Sequence, residues 1–177
     1  MKKFLNSINY IYSLVVESYL NKTIVLPENT VVIGDRAFES VSSIQNVYMG
    51  SGVTSIGTEA FSSCTNLKKV VCANETATIG KGAFQRCESL AYVSLSPQLE
   101  AVPQDAFYLC TGLETVSMPD GIPKICAGAF NGSGIKNINI PQSAKEIEAS
   151  AFANCARLES IALPADMTCV SANCFSG

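Results

Sequence analysis

Residues 56–70 read IGTEAFSSCTNLKKV, and residues 79–93 read IGKGAFQRCESLAYV. The two stretches share the pattern I-G-x-x-A-F-x-x-C-x-x-L-x-x-V and begin 23 residues apart. An internal period between about 20 and 50 residues indicates that one supersecondary unit is stacked repeatedly along the chain. The pattern recurs from residue 24 to the end of the chain, so it predicts the architecture of nearly the whole protein.

A phenylalanine occupies the same place in every copy, directly after a small residue. The seven phenylalanines are Phe38, Phe61, Phe84, Phe107, Phe130, Phe152 and Phe175. They follow one another at intervals of 23 residues, except that one residue is missing near Gly132 and the fifth interval is 22. A ring at a fixed place in each copy is predicted to fill the interior as the structural core of the repeat, carried on turns or single helical turns.

A short segment of the form L-x-x-V-x-L follows the phenylalanine, as in Leu90-x-x-Val93-x-Leu95. Its period of two and its β-branched residues predict a short strand with one buried face. Pro119 and Pro141 end two of these segments, because proline has no N–H for the hydrogen-bonded ladder. The phenylalanines are expected on the wall opposite these strands.

The copies resemble the leucine-rich repeats of BspA-like bacterial surface antigens, and a third copy, IEASAFANCARLESI at residues 147–161, fits the same pattern. The resemblance implies a repeat solenoid, a right-handed and gently curved leucine-rich-repeat coil with a short parallel β-sheet on one face. It covers residues 23–177 as about seven coils, of which the last is incomplete. It also implies a role in surface adhesion or in contact with host or matrix proteins, at the cell surface or after secretion.

The first 22 residues lie outside the repeat. Lys2 and Lys3 precede an apolar region as in a secretory signal, but polar residues interrupt that region and no convincing cleavage site follows. Apolar residues recur on one helical face from Phe4 through Ile11 to Tyr19, which predicts an amphipathic capping helix at roughly residues 3–20. A leader peptide remains the alternative.

The composition argues against several classes of function. Charged residues make up 15% of the chain and the net charge is −3, with no basic run, so we predict no binding to nucleic acid. No apolar stretch is long enough for a transmembrane segment. The chain has no histidine, no clustered carboxylates and no C-x-x-C pair. We therefore predict a protein that is not an enzyme, with no catalytic, cofactor-binding or metal-binding residues.

Four of the eight cysteines share one column of the repeat, where other copies carry valine or serine. These four are Cys64, Cys87, Cys110 and Cys155. Because cysteine is among the most frequently buried residues, the column predicts small interior side chains with free thiols rather than disulfides.

The outward positions of the predicted strands form the candidate protein-binding face. Its residues are Val25, Asn46, Tyr48, Lys69, Val71, Tyr92 and Ser94. Tyrosine among apolar neighbours is typical of protein-binding hot spots, although tyrosine and valine also simply favour strands. The expected ligand is a protein or, as an alternative, a glycan-bearing surface.

Two other functions stay open. The chain stops two residues after Phe175 without a completing strand, so either the sequence is a fragment of a longer array or its apolar end supports an end-to-end homo-oligomer. Such self-association would make the protein a structural module. A protein-interaction module inside the cell is the other alternative.

Overall fold

The computed structural model describes residues 22–177, so the predicted capping helix lies outside the described residues. Thirteen short strands follow one another along this part of the chain. They are β1 Thr23–Val25, β2 Val32–Ile33, β3 Asn46–Tyr48, β4 Ser55–Ile56, β5 Lys69–Val71, β6 Thr78–Ile79, β7 Tyr92–Ser94, β8 Thr115–Ser117, β9 Lys124–Ile125, β10 Asn137–Asn139, β11 Glu146–Ile147, β12 Ser160–Ala162 and β13 Cys169–Val170. All of their pairings are parallel, as a stacked coil requires.

The three-residue strands form the face that the V-x-L segments predict. Their central residues point inward, so Val47, Val70 and Val93 are fully buried while the residues on either side are at least partly exposed. The predicted single sheet is wrong in one respect. The strands form a five-stranded sheet, β1-β3-β5-β7-β8, and a separate pair, β10-β12, so the sheet is interrupted between β8 and β10.

A second sheet face, which we did not predict as strands, runs along the two-residue elements. It consists of β2-β4-β6 and of β9-β11-β13, and an isolated bridge from Val102 to Ile125 extends the second group. Most of these strands contribute one inward apolar residue, such as Ile33, Ile56 and Ile125, all at most 4% exposed, whereas Val170 on β13 is 45% exposed. The coil is therefore closed by strands on two faces and by the phenylalanines on a third.

The phenylalanines form a continuous stack through the interior. Neighbouring ring centroids lie 5.0 to 5.7 Å apart and neighbouring planes differ by 3° to 13°. The rings from Phe38 to Phe152 are at most 4% exposed, which agrees with the predicted interior role. Phe175 stacks on Phe152 at 5.7 Å but is 41% exposed, because no coil of residues 22–177 lies on its outer side.

The backbone around each phenylalanine builds a third hydrogen-bonded ladder. Between two neighbouring coils, for example, the N–H groups of Glu59, Phe61 and Ser63 donate to carbonyls of the next coil at 2.8 to 3.0 Å. The residues two places before and two places after the ring have left-handed backbone, with φ of 54° at Glu59 and 59° at Ser63. These segments are turns. No helix occurs between residues 22 and 177, so the single helical turns that we allowed for are not observed.

The cysteine column is buried as predicted, and the structure adds a reason for cysteine. Each thiol donates a hydrogen bond to the carbonyl of the phenylalanine one coil earlier, as from Cys64 to Phe38 at 3.0 Å and from Cys110 to Phe84 at 3.1 Å. Burial raises the pKa of Cys64 to about 11 and that of Cys110 to about 12. A small apolar side chain that can still donate one hydrogen bond suits this position.

Ser133 takes the place of cysteine in the 22-residue coil and lies 3.4 Å from the Cys155 sulfur. All eight cysteines have free thiols, of which Cys126 is partly exposed and Cys169 is exposed.

None of the elements from residue 22 to residue 177 is a helix of the length and apolarity that crossing a membrane demands.

Candidate protein-binding face

The seven residues of the candidate face all lie on β1, β3, β5 and β7, as the sequence predicts. The register aligns Thr23, Asn46, Lys69 and Tyr92 in one outward column, and Val25, Tyr48, Val71 and Ser94 in a second. The two columns lie one pleat apart, because each strand places alternate residues on the same side. This part of the sheet is thus a flat surface about four strands wide.

The centre of this surface is a lysine between two tyrosines. The Lys69 ammonium lies 5.5 Å from the centroid of the Tyr48 ring and 5.3 Å from that of the Tyr92 ring. A cation within about 6 Å of an aromatic face is attracted to it, by roughly 0.5–1 kcal/mol at exposed sites. Lys69 therefore attracts both rings, and we call these three residues the tyrosine–lysine patch.

The surroundings of the patch are mixed in polarity. Val25, at 62% exposure, and Tyr48, at 36%, are among the most exposed large apolar side chains of the described residues. Val71 is half-buried beside them. On the polar side, the Asn46 amide donates to the Thr23 hydroxyl at 3.2 Å. The face thus offers aromatic and aliphatic area, one positive charge and a polar border.

The second sheet face carries a charge cluster that the sequence analysis missed. The Lys124 ammonium lies 2.6 Å from Glu148 and 3.2 Å from Glu146, one coil further on. These hydrogen bonds, first that with Glu148, raise the pKa of Lys124, and Lys124 in turn lowers the pKa of Glu148. The Glu148 carboxylate also accepts from the Ala127 N–H at 2.8 Å. Because its charges already satisfy one another, the cluster joins neighbouring coils and is a poor binding site.

A cleft of about 520 Å³ opens in the first sheet face, between β8 and β10. Nothing in our reading of the sequence pointed to it, although the 22-residue interval marked the coil in which it lies. In the part of the chain that the structure describes, no three His, Cys, Asp or Glu side chains come close enough together to hold a metal ion.

The parallel strands, the stacked rings and the 23-residue coil define a leucine-rich-repeat solenoid. The model of the BspA-type leucine-rich repeat region matches the chain in six copies, over residues 9–133 and 77–177. The protein belongs to this BspA-type leucine-rich repeat family, whose scaffolds generally serve as protein-interaction modules. A search of curated protein sequences found no match.

Several solved structures share the fold. A leucine-rich repeat protein from Eubacterium ventriosum aligns with a TM-score of 0.81 at 23% identity, over 88% of this chain and 42% of its own. The leucine-rich repeat protein of T. pallidum aligns with a TM-score of 0.77 at 29% identity, over 85% of this chain and 72% of its own.

A leucine-rich cell surface protein from Faecalibacterium prausnitzii aligns with a TM-score of 0.56 at 26% identity, over 79% of this chain and 47% of its own. The chain thus spans less than half the length of the Eubacterium and Faecalibacterium proteins.

Proposed function

We propose that the protein is a non-enzymatic scaffold that binds another protein through the tyrosine–lysine patch and the valines beside it. The observation that carries this proposal is the position of the Lys69 ammonium between the Tyr48 and Tyr92 rings, next to the exposed Val25. Protein-binding hot spots favour tyrosine, and rings that are already ordered lose little conformational entropy on binding.

The chemistry of the patch suggests the character of its partner. Among the described residues the Lys69 ammonium has no carboxylate partner, whereas Lys81 and Lys145 have one each and Lys124 has two. A partner that presents an aromatic or aliphatic side chain to Val25 and a carboxylate to Lys69 would complement both features. Such pairing would mainly raise specificity and the association rate.

The proposed setting is the cell surface, in adhesion or in contact with host or matrix proteins. Its support is the resemblance to a leucine-rich cell surface protein from Faecalibacterium prausnitzii. Staining of intact and permeabilised cells with an antibody against residues 23–177 would test it. Signal only after permeabilisation would contradict the surface role and favour the alternative of an interaction module inside the cell.

The binding proposal is tested with matched pairs of substitutions. Purified protein is measured by biolayer interferometry against a panel of immobilised extracellular-matrix proteins. Tyr48→Ser with Tyr92→Ser, and separately Lys69→Met, should weaken binding at least about tenfold, as expected of hot-spot residues. Lys68→Met is the matched control, since Lys68 is exposed, directly precedes Lys69 and makes no contact with a tyrosine ring.

Unchanged binding by the two patch variants, or equal losses in Lys68→Met and Lys69→Met, would place the site elsewhere. Far-UV circular dichroism should be the same for all variants, because the replaced side chains lie outside the core. A lack of binding to the whole panel would argue against a matrix ligand.

Self-association through the solenoid end is the second candidate function. Phe175, Leu163 and Val170, each 41–45% exposed, belong to the last coil of residues 22–177. Light scattering after size exclusion should show dimers at high concentration that Phe175→Ser abolishes. A monomer at all concentrations would rule out this function.

A further inference from the structure

The cleft between β8 and β10 arises from the one residue missing in its coil. From Phe130 to Ile138 the chain advances 8 residues, whereas from Phe107 to Val116 it advances 9. The preceding coil reads Phe-Tyr-Leu-Cys-Thr-Gly-Leu from Phe107, and this coil reads Phe-Asn-Gly-Ser-Gly-Ile, without the threonine. The Phe130 and Phe152 rings stay stacked at 5.2 Å and β9 still pairs with β11. Only the arc that leads to β10 is short, and the sheet opens there.

The opening leaves backbone groups without their ladder partners. Between the other neighbouring strands of this sheet face, the residue that follows one strand donates its N–H to the carbonyl of the last residue of the next strand. The Leu95 N–H, for example, donates to the Ser117 carbonyl at 3.0 Å. The corresponding bond from the Met118 N–H to the Asn139 carbonyl is not formed. The bond from the Asn137 N–H to the Glu114 carbonyl is also missing. Each wall of the cleft thus has at least one backbone donor and one backbone acceptor without its usual ladder partner.

The side chains around the cleft extend this pattern. Thr115 and Ser117 line it on β8, and Asn137 and Asn139 line it on β10, all four exposed. The Asn137 side-chain Oδ1 accepts from the Ser160 hydroxyl at 2.5 Å, which leaves the side-chain NH₂ group available.

The floor of the cleft is apolar. Val116, which the opening uncovers, is half-buried there, whereas Val93 at the same place in the preceding coil is fully buried. Met118 and Ile138 complete the floor.

Width and charge limit what the cleft accepts. Cα atoms of β8 and β10 still approach each other to within 8 Å, and an inserted peptide strand would need about 9.6 Å, twice the usual strand spacing. The cleft is lined by one carboxylate, Glu114, and one ammonium group, Lys136, and Glu114 also lies 3.7 Å from Arg157, so the cleft has no strong excess of either charge. Its volume of about 520 Å³ falls within the range of small-molecule sites, roughly 300–1,000 Å³.

We infer that this cleft is a binding site for a neutral saccharide, separate from the tyrosine–lysine patch. Sugar hydroxyls both donate and accept hydrogen bonds, so they match walls on which donors and acceptors alternate. A sugar ring enters this cleft on edge, with its C–H groups against Val116, Met118 and Ile138, because walls within 8 Å of each other leave no room for the ring to lie flat. Water fills such a site when it is empty, and a ligand binds only if it reproduces the hydrogen bonds of that water.

The test combines backbone NMR with one insertion. The probes are glucose, galactose, mannose, N-acetylglucosamine, N-acetylgalactosamine, lactose and cellobiose, titrated into the ¹⁵N-labelled full chain. We expect shifts confined to amides around Met118 and Asn137, with dissociation constants on the order of 1 mM, a scale typical of small polar ligands at open sites. Insertion of a threonine between Ser133 and Gly134 restores the 23-residue coil, closes the sheet and should abolish these shifts.

Hydrogen exchange reports on the cleft itself. In the natural chain the Met118 and Asn137 amides should exchange at least about tenfold faster than the Leu95 amide, and in the insertion variant they should be protected to the same degree as Leu95. Protection in the natural chain would show that the cleft does not exist and would overturn the inference.

The saccharide class has its own tests. If the insertion variant does not fold, Ser117→Ala with Asn139→Ala takes its place and should weaken sugar binding at least about fivefold. Tyr48→Ser with Tyr92→Ser should leave sugar binding unchanged, which separates this site from the proposed protein-binding patch. Absence of shifts with every sugar overturns the proposal. Shifts caused by acetyl-dialanine-amide but by none of the sugars would also overturn the proposal.

Discussion

Truncation of a ring in the middle of the phenylalanine stack should lower the free energy of unfolding much more than truncation of the ring at its end. Phe84 is fully buried and lies 5.4 Å from Phe61 and 5.6 Å from Phe107. Phe84→Ala removes a core ring between two partners, so we expect a loss of about 3–5 kcal/mol in the free energy of unfolding. Phe175 has one ring neighbour and is 41% exposed, so Phe175→Ala should cost only about 1–2 kcal/mol.

The comparison is made by urea unfolding, followed by far-UV circular dichroism because the protein has no tryptophan. Because coils of a repeat protein contact mainly their neighbours, hydrogen exchange should show faster opening of the coils around Phe61 and Phe107 in Phe84→Ala. Equal losses for the two variants, or a loss below about 1 kcal/mol for Phe84→Ala, would refute the role of the rings as a continuous interior stack.

Three further outcomes are expected. Arg86→Gly should raise the free energy of unfolding by about 0.5 kcal/mol, measured by urea unfolding. Arg86 is exposed and has left-handed backbone at φ 58°, a conformation that glycine adopts without strain. Iodoacetamide followed by mass spectrometry should label Cys169 in the folded protein and Cys64 only after unfolding; early labelling of Cys64 would contradict its burial. The free energy of unfolding should fall as the pH rises above about 9. In the folded protein, burial raises the pKa of Cys64 to about 11 and those of Cys72 and Cys110 to about 12, so these thiols keep their protons. In the unfolded chain the same thiols lose their protons above about pH 9, which favours the unfolded state. Cys72→Leu should reduce this loss, and an unchanged pH profile would argue against burial of that thiol.

The repeat made much of the core predictable. A fixed period requires each column of residues to occupy the same environment in every coil, so Phe61, Cys87 and Val70 could be assigned to the interior from spacing alone. The outward residues of the candidate face follow from the same argument, because a strand with a buried central valine must expose its neighbours. The prediction was weakest at the last ring, Phe175, since burial there depends on a coil that would have to pack outside it.

The missing residue near Gly132 shows where such prediction stops. The sequence shows that the arc from Phe130 to Ile138 is one residue short but does not show that the sheet opens as a result. The phenylalanine stack and the β9–β11 pair both keep their registers, so the whole difference falls on β8 and β10. The cleft therefore forms because the second sheet face and the phenylalanine turns keep their hydrogen bonds while the first sheet face loses them between β8 and β10. This outcome depends on the packing of neighbouring coils.

The sequence by itself determined the coil, its interior columns and the face on which Tyr48 and Tyr92 lie, because period and polarity act within each repeat. Only the tertiary structure decided that the Lys69 ammonium lies between those rings, that each buried thiol donates to the phenylalanine carbonyl of the coil before, and that the sheet opens at β8. These features depend on contacts between residues about 23 apart, which come together only when one coil stacks on the next.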